Sequence, residues 1–414
     1  MRKNLPSTAA KEVPQFEEHV KNVVRNVRGT FADLLSSVGA DPTHPQDMAR
    51  QFGLNKNLTW KVSKIICESD PCAAIPLIPG RSGLNILINT LKKAGATEEA
   101  VSSVRTAITE FDEMVQLHAG DRATLELMLG NLTDDGEPQR QEANRKLAFR
   151  GNSAIWGVQA RVQLTVNFIT PGTEEDWMDL AWLSGLVDFR RLRLDVTWAM
   201  ASAKKVKDDG SLMSLGPIEP IDPEFKGGEV APLLGDFCSK PLPEIRTVSG
   251  PESLLRFELV EGEVGNTAAT TCFIGLFGRN FVNRYRMAND TLGEHFARLS
   301  TPTEMMIHDL FVHKDLESAL KPRIHIYSQL PGGPVYPQSG RDRGEIPVYD
   351  KVIELGKGPR DIVTPEVPRY RRMVQSVYDR LGWDADEFYG FRFKMRYPPI
   401  PTMAVLRYDL PEKK

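Results

Sequence analysis

The chain of 414 residues has four cysteines, no long apolar run and almost no net charge, and each shortage closes off a class of protein. Cys67, Cys72, Cys238 and Cys272 show only a lone C-x4-C, which is neither a disulfide framework nor a zinc spacing. Reduced thiols in a cytoplasm are the expectation. No segment reaches the roughly 18 apolar residues that cross a bilayer, and no apolar stretch follows the basic start at Met1-Arg-Lys, so neither a membrane span nor a secretory signal is expected. With 52 basic and 55 acidic residues the net charge is -3, which excludes wholesale coating of nucleic acid and leaves room only for a local basic patch. G-x-S-x-G, H-E-x-x-H, a Walker lysine and G-x-G-x-x-G are all missing, so no catalytic or cofactor motif is assigned and the chain is not expected to be an enzyme. Internal repeats and low-complexity segments are absent as well.

What is present changes character near residue 150. Upstream, apolar residues recur three and four apart. Phe16, Val20, Val23, Val24, Val27, Phe31, Leu34, Leu35 and Val38 predict one long helix that ends at Gly39. Met48, Ala49 and Phe52 predict a short helix stopped by Gly53, which adopts a left-handed conformation without steric cost. Leu58, Val62, Ile65 and Ile66 predict another, with Lys56, Trp60, Lys61 and Lys64 on its opposite side. From Leu54 to Ile66 there are three lysines and no acid. Further helices follow through Leu84–Leu91, Val101–Val115 and Arg122–Leu129, and the polar stretch from Asn131 to Ala143 is the best linker.

The segment from about 45 to 66 resembles the helix-turn-helix of bacterial transcription regulators. Ala49 matches the small residue at the helix crossing, Gly53 the turn glycine, Leu54 the apolar residue after it, and Val62 a core position of the recognition helix. Six positions after the glycine stands Thr59, where that superfamily usually carries an aliphatic residue. The resemblance implies double-stranded DNA as partner, with Lys56, Lys61 and Lys64 on phosphates and Asn57, Thr59 and Trp60 nearer base edges. It also implies pairing of two copies, hence a homo-oligomer. A helical hairpin whose lysines are a solvated face is the structural alternative.

Downstream the period becomes two. Val158 to Phe168 alternates apolar and polar residues without a break and predicts a long strand with one buried and one wet face. Leu192 to Met200 alternates likewise. Between them, Thr173 with Asp176 reads as a capping box opening a helix over Glu174 to Ser184. Further strands are expected at 254–260, 270–277, 305–313, 323–328, 391–397 and 403–408, with a helix over Pro368 to Leu381. The expected fold is α+β and multidomain: a helix-turn-helix unit over 1–70, a helical extension and linker over 71–150, and a mainly antiparallel β-sandwich or jelly-roll-like region over 151–414.

Two clusters remain. Arg392, Lys394 and Arg396 share one face of a strand, which fits an anionic ligand, a nucleic-acid backbone or acidic side chains of its own domain. His308, Asp309, His313, Asp315 and His325 are the richest titratable group, but no H-x-H pair occurs and no metal is assigned. A DNA-binding regulator with a β-rich sensing or oligomerisation domain is the leading reading. A self-assembling structural protein without DNA binding, or an enzyme of unrecognised type, are the alternatives.

Overall fold

A computed structural model describes residues 15–130, 137–203, 205–206, 212–213, 216–225, 231–250, 255–288, 290–330, 344–358 and 362–413. The cluster Pro331-Gly-Gly-Pro334, whose composition predicts a break between strands, lies outside them. The chain is α+β and forms two compact units, Met1–Glu137 and Pro138–Lys414. None of the described helices is long and apolar enough to cross a membrane.

The first unit is helical. Its leading helix, α1 (Phe16–Ser36), buries Val20, Val23, Val24, Val27, Phe31, Leu34 and Leu35, the stripe that its three-and-four spacing predicts. In the turn that follows, Asp41 accepts hydrogen bonds from the Thr43 amide at 2.8 Å and hydroxyl at 2.7 Å, and these bonds hold its carboxyl down at about 2. Helix α2 (Pro45–Phe52) begins on a proline that already has the right φ and ends at Gly53, whose φ of 62° is left-handed. Two residues later Asn55 caps α3 (Lys56–Cys67) by accepting from the Asn57 amide at 2.8 Å.

Four more helices follow among the described residues of the unit: α4 (Pro71–Ala74), α5 (Arg81–Lys93), α6 (Glu98–His118) and α7 (Arg122–Gly130). Helices α1 and α6 run antiparallel, with His19 bonded to His118 at 2.9 Å and Asn26 to Glu110 at 2.8 Å. One core takes side chains from α1 through α7, from Val20 to Leu129. The helices after residue 70 therefore belong with the first three, and the boundary falls at 137/138 instead of 70 and 150.

The second unit opens with α8 (Glu137–Trp156), then turns through Gly157 into β1 (Val158–Pro171). The following strands are β2 (Trp177–Arg191), β3 (Trp198–Ala203), β4 (Lys205–Val206), β5 (Leu212–Met213), β6 (Glu219–Pro220), β7 (Ile245–Ser249), β8 (Leu255–Leu259), β9 (Thr270–Asn283), β10 (Leu292–Leu299), β11 (Thr303–His313), β12 (Arg323–Ser328) and β13 (Ile353–Lys357). Helix α9 (Tyr370–Leu381), β14 (Phe388–Arg396) and β15 (Thr402–Asp409) close the chain. Seven strands form one sheet in the order β13-β14-β11-β1-β2-β9-β6, with β1 and β11 parallel and every other pair antiparallel. Two three-stranded sheets, β10-β15-β12 and β3-β8-β7, are antiparallel throughout.

Two secondary-structure expectations are overturned. Residues 174–184 are not helical; most of them lie in β2, paired along β1 and β9. No residue of β2 is exposed and ten of its fifteen are buried, so its apolar run lacks the clean alternation of a half-wet strand and its Thr173/Asp176 spacing mimics a cap. Gly185 permits the close β2–β9 approach, since a Cβ there would lie 2.4 Å from the Cys272 carbonyl oxygen. Residues 192–197 are not a strand either, and Leu192 and Leu194 are exposed.

On the even-numbered face of β1, Phe168 stacks on Phe311 of β11 at 5.0 Å and meets Tyr378 of α9 edge-on at 5.4 Å. The opposite face of β1, carrying Gln163, Thr165 and Asn167, was expected to be wet. All three are buried there, and Gln163 Nε2 donates to the Arg298 carbonyl of β10 at 2.6 Å.

Candidate functional site

That enclosed polar face is the floor of a cavity of about 620 Å³. The size is ordinary for a small-molecule site. The floor comes from the centre of the large sheet: Gln163, Thr165 and Asn167 of β1, with Trp182 and Ser184 from β2 at the same level. The sides come from one outer strand of each small sheet, β3 with Trp198 to Ala203 and β10 with Glu294 to Arg298. The cavity thus sits where the two small sheets leave the middle of the large one uncovered.

Aromatic side chains line much of it. Trp182 packs on Phe281 with centroids 5.5 Å apart, and Trp156 meets Trp198 edge-on at 6.3 Å. The Trp198 indole donates to the Thr301 hydroxyl at 2.9 Å, which fixes its ring. His295, on the core-facing side of β10, is buried; burial alone lowers its pKa to about 4, so it is neutral near pH 7. Beside the floor, on the same face of the sheet, His308 hydrogen-bonds Asn167 at 3.0 Å, and burial together with the nearby His295 lowers it to about 3.

Four charged residues stand on the faces of the small sheets turned away from the core. Glu294 is bound by Arg407 at 2.7 Å, and Glu258 lies 3.7 Å from Arg256. Arg298 is exposed at the cavity's edge and has no carboxylate partner among the described residues; loss of part of its hydration and the neighbouring Arg256 both lower its pKa.

The sequence-predicted clusters are placed differently. Arg392 donates to Asp309 through Nε at 2.8 Å and Nη2 at 2.6 Å, and the Tyr370 hydroxyl donates to the same carboxylate. All three are buried. Burial would lower the Arg392 pKa, but the bonds to Asp309 and its charge outweigh that and raise it. Lys394 pairs with Glu366 at 2.6 Å and Arg396 with Glu142 at 3.0 Å. The basic strand face is therefore matched by acids of its own unit.

His313 bonds Glu387 at 2.9 Å, His325 bonds Glu345 at 2.7 Å, and His308 faces the other side of β11. Among the described residues no three His, Cys, Asp or Glu side chains gather in a way that could hold a metal.

On α3, Lys56, Asn57, Trp60 and Lys64 are exposed and Lys61 is half-buried, whereas Val62 and Ile65 are buried. Thr59 is not on the outer face. It is 1% exposed, and its hydroxyl donates to the Lys56 carbonyl at 3.1 Å, so it fills the core position that an aliphatic residue takes in the resembling motif. It is removed from the residues able to reach a base. Across Leu54 to Thr97 there are six Lys or Arg against two acids, although residues 15–130 as a whole hold 12 against 14. The positive charge is gathered on α3 and α5, and these meet where Gly83 packs beside Leu58.

The cavity was not legible as a site. Its floor reads as a solvated strand face, and β10, with glycine, histidine and alanine on its inner side, carries no strong strand signal. Compared with family models, curated proteins and solved structures, the chain finds no match.

Proposed function

We propose that the protein is a DNA-binding regulator whose β-rich unit, a two-layer receptor of the β-sandwich class, senses a small ligand. The observation that carries this reading is the α2–Gly53–α3 arrangement. A left-handed glycine and an Asn55 cap turn the chain in three residues, and α3 then presents Lys56, Asn57, Trp60 and Lys64 outward from a fully formed core. A helix offered in this way fits a major groove, with lysines on phosphates and Asn57 able to read a base edge. The cavity in the second unit supports the sensing half of the reading. Since one such helix spans few base pairs, two copies would sit on a two-fold site.

Selection of duplexes from a random pool by the full-length chain tests the proposal. Enrichment of a two-fold sequence is expected, with a salt-dependent affinity. Replacing Lys56, Lys61 and Lys64 together by Ala should weaken all sequences alike and lower the salt slope, by roughly one unit for each of these lysines that neutralises a phosphate. Absence of binding to any duplex at low salt overturns the DNA reading. Binding that survives the triple replacement moves the interface elsewhere.

A further inference from the structure

The cavity has a chemical asymmetry that narrows what it can hold. Inside, Trp182, Trp198 and Phe281 offer flat apolar surfaces, and the floor offers amide and hydroxyl groups but no charge. The Gln163 amide donates to the Arg298 carbonyl, while its oxygen is buried without a hydrogen-bond partner among the described residues. At the edge, two arginines from different sheets stand near each other, Arg256 on β8 and Arg298 on β10. The acids around them do not balance the pair. Glu294 is taken by Arg407 at 2.7 Å, and among the described residues Glu258 reaches only Arg256, at 3.7 Å. Like charges held together at the edge of an apolar pocket are stabilised when an anion arrives, and a guanidinium is suited to a planar acid group.

We propose that this cavity binds a small organic anion, its aromatic or apolar body lying between Trp182, Trp198 and Phe281 and its acid group held by Arg298 with Arg256. The cavity of about 620 Å³ admits a ligand of two or three fused or linked rings. This deepens the reading of the β-rich unit as a ligand receptor and is independent of DNA binding by α3.

The test compares two fluorescent probes of one shape on the full-length protein. Anilinonaphthalene sulfonate carries an acid group, and phenylnaphthylamine is the same ring system without it. At low salt the sulfonate is expected to bind one site per chain about ten- to a hundredfold more tightly than the neutral probe, and to displace it. Arg298→Gln should remove most of that preference while leaving the neutral probe's Kd and the thermal midpoint unchanged. Arg256→Gln should remove part of it, which keeps the test valid if one variant fails to fold. Equal affinity for the two probes, or a preference untouched by both variants, overturns the anion assignment and leaves the receptor reading standing. Failure of both probes to bind overturns the receptor reading together with it.

Discussion

Asn57 and Thr59 sit two positions apart on α3 and face opposite ways. The Asn57 side chain is exposed on the stripe that carries Lys56, Trp60 and Lys64, whereas Thr59 is 1% exposed and bonded to the carbonyl three residues back. Thr59→Val should therefore keep the unit folded and leave any DNA sequence preference unaltered, with a stability change within about 1 kcal/mol, because one local hydroxyl bond is exchanged for better apolar burial. Asn57→Ala should instead alter the selected sequence, at a cost of roughly 1–3 kcal/mol if it makes a bidentate base contact. Selection and melting curves on the two variants check this, and a shifted preference from Thr59→Val would mean that α3 is rotated so that position 59 faces outward. The stretch from Met48 to Ile66 was legible because three-and-four spacing dictates which side is buried. What it left open was the phase at one residue, since a threonine satisfies its own hydroxyl within a helix and so passes for either face.

At the scale of elements, β11, β14 and α9 are joined by a buried ionic cluster. Arg392 donates two hydrogen bonds to Asp309, Tyr370 donates to the same carboxylate, and the Arg392 and Asp309 side chains are 4% and 0% exposed. Such a cluster contributes little net stability, because desolvation of both charges offsets their attraction, yet breaking it by halves is costly. Arg392→Met should destabilise the β-rich unit by about 3–5 kcal/mol in urea unfolding, as it strands the Asp309 charge. Combining it with Asp309→Leu and Tyr370→Phe should recover most of that loss. A single variant as stable as the parent would show that the cluster is not buried in solution. The strands β11, β12, β14 and β15 and helix α9 were legible, since each keeps one clean period between turn residues. Strand β2 was not. Its two faces are both largely buried, so Trp177 to Phe189 has the near-continuous apolar character that short helices share, and only pairing with β1 and β9 on both sides decides the matter.

For the molecule as a whole, the decisive feature absent from the sequence pattern is the gap between the two small sheets. Gln163, Thr165 and Asn167 look the same in sequence whether they meet solvent or an internal cavity, and the difference is set by residues more than a hundred positions away on β10. Enclosure has a measurable consequence through the two histidines that it buries. His295 is lowered to about 4 and His308 to about 3, both chiefly by burial, against an ordinary value near 6.5. Above that ordinary value neither state of the protein protonates these rings, and they add no pH dependence. Below it the unfolded chain takes up protons that the folded chain refuses, so the unfolded state gains and stability falls as pH drops toward the folded values. Between about pH 6.5 and about pH 5, where carboxylates are still ionised, the unfolding free energy should decline with a slope approaching two protons, each worth about 1.4 kcal/mol per pH unit. Urea titrations at several pH values measure that slope. His308→Gln should remove about half of it without changing its sign, because His295 alone still titrates on unfolding. A profile flat across that window would mean that both rings stay open to water, and with them the face of β1 that the cavity is built upon.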